Sequence, residues 1–77
     1  MPHVVIKLVS GPSKEQLQEA AEQIAVVINK TLNKQEKFIS VSVEEYAFNE
    51  WGSVYNEYIK DKDNLLIEPS YDPKMFG

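Results

Sequence analysis

Few residues in this chain have types and positions that could do chemistry, and the first of them is Pro2. The chain opens MPHVVIKL. If Met1 is removed after translation, Pro2 carries a free secondary amine, and the apolar run behind it would hold that amine in place. Proline is also tolerated as the first residue of a strand, so the position has a purely structural use too. His3 follows directly but should point to the opposite face of an extended strand; it either tunes the amine or sits idle. Lys7 is charged within a run that is otherwise apolar. It could set a positive charge near a carbonyl or carboxylate, where a dry site strengthens the effect. A solvated or cross-interface lysine is the plainer reading. Glu44 and Glu45 are neighbours, yet consecutive strand residues face opposite ways, so they are not the paired acid and base of a glycosidase.

Composition narrows the chemistry further. The chain has 77 residues, no cysteine and one histidine. That length implies one small domain, 1–77, which buries little surface and usually needs a disulfide, a metal or a partner subunit. Without cysteine, disulfides are excluded and a structural zinc site is not expected. Oligomerisation is the remaining stabiliser. Net charge is -4, with eight lysines and no arginine. An acidic chain without a basic patch is not expected to bind nucleic acid. No stretch is long enough to span a membrane, and the apolar start is too short for a signal peptide. The lack of cysteine fits a cytoplasmic location. No cofactor is implied.

The elements that must position these residues follow from periodicity. Residues 3–9 read as a strand so apolar that burial on both faces is expected. Ser10-Gly11-Pro12 marks a turn. Ser13 and Gln16 form a capping box for a helix. Its stripe runs through Leu17, Ala20, Ala21, Ile24, Ala25, Val27, Ile28, Thr31 and Leu32, and Asn33 ends it. After a polar connection over 33–37, residues 38–45 alternate as a second strand. Asn49 is a plausible cap for a second helix with Trp51, Val54, Tyr55, Tyr58 and Ile59 on one stripe, ending near Lys62. The apolar run 65–67 predicts a short third strand or hook, and the aromatic tail 71–77 is suited to pack on a neighbour. The fold class is therefore α/β: a right-handed βαβ unit with parallel strands, then a short helix and a short C-terminal strand. Two such units joined across a dimer would cover the open sheet edges.

These features resemble the 4-oxalocrotonate tautomerase family. The similarity lies in Met1-Pro2 before a strand, in Gly11-x-Ser13 ahead of Glu15-Gln16, and in the Ile/Val-rich stretch 39–43. The opening MPH, Ile6-Lys7, Glu50-Trp51 and the ending Ile67-x-Pro69-x-Tyr71 resemble most the small dimeric PptA type. The resemblance covers most of the chain. It implies a single tautomerase-like domain and an isomerase in which Pro2 is the general base of a keto–enol proton transfer. An α-amine titrates near the operating pH, and burial lowers the pKa of a cation further, as proton abstraction requires.

The same resemblance marks Trp51 as an aromatic that keeps the base in an apolar pocket, a role to be weighed equally against packing. Phe48 has the same two readings, with core packing the stronger. The family's best-known member carries an arginine where this chain has Pro12 and a second where it has Ser40. Without those two, a dicarboxylate is a poor substrate, and an aromatic or weakly charged 2-keto acid or enol fits better. Ser40 is then a candidate donor to a substrate oxygen, against the plainer reading of a sheet serine. Tyr58, Tyr71 and Phe76 could line the pocket across a dimer interface or simply pack. The alternative is a catalytically inactive or small-molecule-binding protein on the same scaffold. A hydratase or dehalogenase is disfavoured, because such chemistry usually needs a cationic clamp.

Overall fold

In a computed structural model that describes residues 1–76, a strand β1 (His3–Val9) leads into a helix α1 (Lys14–Leu32) and a strand β2 (Ser40–Tyr46). A short helix α2 (Trp51–Val54) follows, and the chain closes in a 3₁₀ turn over Pro73–Phe76. It divides into two compact units, Met1–Glu45 and the part from Tyr46 onward.

The first unit is the expected βαβ unit. β1 and β2 are paired in one two-stranded sheet. The Ser40 N–H donates to the Pro2 carbonyl at 3.2 Å, and further along Lys7 pairs with Glu44. Residue numbers climb together on both strands, so the pairing is parallel. α1 is the crossover that parallel strands require.

The capping box forms at the start of α1. Gln16 N–H donates to Ser13 Oγ at 3.1 Å, and Ser13 N–H donates to Gln16 Oε1 at 2.9 Å. Two amides that lack helical acceptors are thereby satisfied. Asn33 ends the helix in the left-handed region (φ 56°), a conformation asparagine tolerates.

Several expectations are corrected. β2 begins at Ser40 rather than at Phe38, because Glu36–Phe38 winds into a 3₁₀ turn. Phe38 N–H donates to Gln35 O and Ile39 N–H to Glu36 O, both at 3.0 Å, so these amides are committed before the strand starts. β1 is not covered on both faces: His3 and Val5 are exposed. Within the first unit, two strands and one crossover helix can cover only a single sheet face. The α1 stripe is narrower than expected. Val27 and Leu32 are exposed, whereas Val26 is half-buried.

The second unit departs more. The helical segment starts at Phe48, not at Asn49, with a 3₁₀ turn over Phe48–Glu50. Glu50 Oε1 accepts the Ala47 N–H at 2.7 Å and takes over the capping role. Only Trp51–Val54 is α-helical; Tyr55–Ile59 widens into a π turn closed by Lys60 N–H to Tyr55 O at 2.8 Å. Lys60 then leaves the helix, and Asp61 adopts φ 55°.

The third strand is absent among the described residues. Residues 65–67 form no ladder, and Leu66 and Ile67 are 94% and 87% exposed. A strand exists only by pairing, and this run has no paired edge within one chain. Among the described residues Val54 alone is buried, at 4% exposure.

Candidate active site

The candidate residues of the first unit begin at the strand start. Pro2 is half-buried immediately before β1, while Met1 stands in solvent at 93% exposure. With Met1 attached, the Pro2 nitrogen is an amide whose lone pair is delocalised into the carbonyl. Without Met1 the same nitrogen would be a secondary amine. The Pro2 carbonyl is already fixed by the Ser40 N–H, so the ring's direction depends on β2 as well as on β1.

Ser40 has a second link to the same dipeptide. Its Oγ lies 2.6 Å from His3 Nδ1, and Ser42 Oγ lies 3.4 Å from His3 Nε2. Each hydroxyl can donate or accept, so the pair accommodates either imidazole tautomer. His3 therefore spans two serines of the neighbouring strand rather than lying idle. Four residues on, Lys7 pairs with Glu44. Among the described residues no cluster of acidic or histidine side chains could hold a metal ion.

The sequence named these side chains singly and missed their alliances. His3 and Lys7 share one face of β1; Ser40, Ser42 and Glu44 share one face of β2. That alternation was the available signal. Only the strand register decides which member meets which, and it put His3 against the serines and Lys7 against Glu44. Lys7 is thus already engaged with a carboxylate in the single chain.

Trp51 and Phe48 belong to the second unit, in an aromatic cluster. Trp51 is half-buried, meets Tyr46 edge-on at 6.2 Å and donates its indole N–H to Tyr71 Oη at 3.1 Å. Phe48 is exposed but tilts against Phe76 at 5.9 Å. Tyr71 and Phe76 meet at 5.3 Å, and both contact Tyr55. The tail thus has partners within its own chain. Such aromatic pairs contribute roughly 0.5–1.5 kcal/mol each beyond their buried area.

Comparison with known proteins sets these observations beside relatives. The family described as tautomerase enzyme matches residues 2–62. A probable tautomerase from Xylella fastidiosa (strain 9a5c) is 32% identical over 73 residues, covering 92% of this chain and 89% of that protein. A probable tautomerase from Bacillus cereus is 31% identical over 62 residues, 80% of this chain and all of that protein. One from Bacillus anthracis matches to the same extent. No helix among the described residues is long and apolar enough to cross a membrane.

Proposed function

Since the chain belongs to the tautomerase family and is an isomerase acting on a small substrate, we propose that Pro2, freed by removal of Met1, is its general base. The base takes a proton from the carbon beside a carbonyl, leaving an enol or enolate. It returns that proton to another carbon or to oxygen, so no atom is gained or lost. The observation that carries this reading is the anchoring of Pro2: its carbonyl is held by Ser40 at the start of β1. The family match also begins at residue 2.

The physics suits the role. An α-amine titrates at about 8 in an ordinary chain, and burial disfavours its cation and lowers that value. Activity should therefore rise with pH as the amine loses its proton, then level off. The ring and the strand restrict where the lone pair points, which lowers the entropic cost of attack.

The substrate we propose is an aromatic or weakly charged 2-keto acid or its enol. No arginine is present to clamp a dicarboxylate. Ser40 and Lys7 are the proposed polar contacts to substrate oxygens, and Trp51 and Phe48 the proposed apolar ones. The two units form one tautomerase-like domain in this reading, because the family match runs through both. Within the family the PptA type fits best, and with it a homodimer. Open edges on both strands and the exposed pair Leu66 and Ile67 support such pairing.

The test combines intact mass with an enol–keto absorbance assay on phenylpyruvate. The mature protein should lack Met1, and Pro2→Ala should lower kcat/KM by roughly 10²–10⁴-fold with the circular dichroism spectrum unchanged. Full activity in Pro2→Ala, or in protein that keeps Met1, would show that another group is the base.

A further inference from the structure

The second unit carries an open cleft with a volume of about 290 Å³ that the proposed chemistry does not use. Its walls come from the π turn and the closing 3₁₀ turn. Tyr55 and Phe76 are its aromatic lining residues, and Lys60, Lys74 and Asn56 its polar ones. The two rings are packed 6.2 Å apart, and Phe76 is braced in turn by Tyr71 and Phe48. Gly52 completes one side.

The charge at this cavity is unusual for the chain. Net charge is -4, yet two of the eight lysines face one small space. Among the described residues neither is ion-paired, whereas Lys7 is paired with Glu44. Asp72, the nearest acid in sequence to Lys74, accepts the backbone N–H of Lys74 at 2.9 Å instead of its ammonium. Both lysines line the same cavity, so an anion bound there would have two ammonium groups within its reach.

The backbone puts both lysines there. In an α-helix Ile59 would donate to Tyr55; here the Tyr55 carbonyl is bonded to Lys60. The wider turn brings Lys60 round by one residue, and π turns often accompany functional sites. Lys74 is set by the Asp72 contact at the start of the 3₁₀ turn.

We propose that this cavity binds a small aromatic monocarboxylate. The carboxylate lies between the Lys60 and Lys74 ammonium groups, and its ring lies against Tyr55 and Phe76. An apolar wall with a few convergent polar groups is the usual form of a small-molecule site, and this volume is near the lower end of their range. The site does not depend on Pro2 or on its chemistry.

The experiment is a titration of the full chain with phenylacetate, followed by amide chemical shifts. Saturable shifts at Gly52, Asn56 and Lys74 are expected. Lys60→Gln with Lys74→Gln should weaken binding by about tenfold or more, the loss of charge-assisted hydrogen bonds. Phenylacetamide, which has the ring without the charge, and acetate, which has the charge without the ring, should each bind far more weakly. Pro2→Ala should bind phenylacetate normally. Shifts confined to other residues, equal affinity in the double variant, equal binding of phenylacetamide, or loss of binding in Pro2→Ala would each overturn the proposal.

Discussion

Ser40 holds Pro2 by its backbone and His3 by its side chain: N–H to the Pro2 carbonyl at 3.2 Å, Oγ at 2.6 Å from His3 Nδ1. One residue of β2 thus fixes Pro2, just ahead of β1, and His3, the first residue of β1. The two bonds can be separated, because Ser40→Ala removes the hydroxyl and leaves the N–H. That variant should fold with its strand pairing intact. It should lose about 0.5–1.5 kcal/mol of stability in urea titration and about tenfold in kcat/KM on phenylpyruvate. Full activity would mean that the Ser40 hydroxyl only packs against His3.

The capping box gives a prediction for stability alone. Ser13→Ala leaves the Gln16 N–H without its side-chain acceptor. The expected cost is about 1 kcal/mol, read as a lower urea midpoint at unchanged slope. Activity per folded molecule should be unaltered.

The second unit has its own probe in the bond from Trp51 to Tyr71. Trp51→Phe keeps an aromatic ring against Tyr46 but loses the indole N–H. Tyr71→Phe loses the acceptor. Each should cost about 1 kcal/mol, and the double variant should cost less than their sum, since both remove one interaction. Strict additivity in chemical denaturation would show that the bond contributes nothing in solution.

Assembly is tested at the exposed apolar pair. Leu66→Lys with Ile67→Lys should shift the sedimenting species from dimer to monomer. A charge placed on an exposed strand-like run opposes edge pairing. An unchanged dimer would mean that these residues lie outside the interface.

Much of the first unit was legible. The capping box, the helical spacing and the asparagine stop are local signals, and local hydrogen bonds answer them at the same residues. The start of β2 was less so: Phe38 and Ile39 continue the alternation, but the turn at Gln35 and Glu36 takes their amides first. The second unit was legible in composition and not in geometry. Its aromatic spacing fits an α-helix, and no pattern in the sequence announces that Tyr55–Ile59 will widen into a π turn.

The site divides in the same way. Pro2 could be put forward from the sequence because its proposed role depends only on its place next to Met1. The serines around His3 could not, because register is a relation between two strands and neither states it alone. The cleft at Lys60 and Lys74 is further still from the sequence, since its two lysines lie fourteen positions apart and come from different turns. Residues 65–67 failed for the opposite reason: the strand-like pattern is present but the partner edge is not.

The near-absence of buried side chains has a consequence for any measurement of stability. Of β1, α1 and β2, not one residue is buried in the single chain, and Val54 alone is buried among the described residues. If the proposed homodimer forms, much of the folded population is set by mass action. The melting temperature should then climb with protein concentration, and a single reported value would describe the dilution as much as the molecule. Two laboratories working at different concentrations would then disagree about the same sequence, and both would be right.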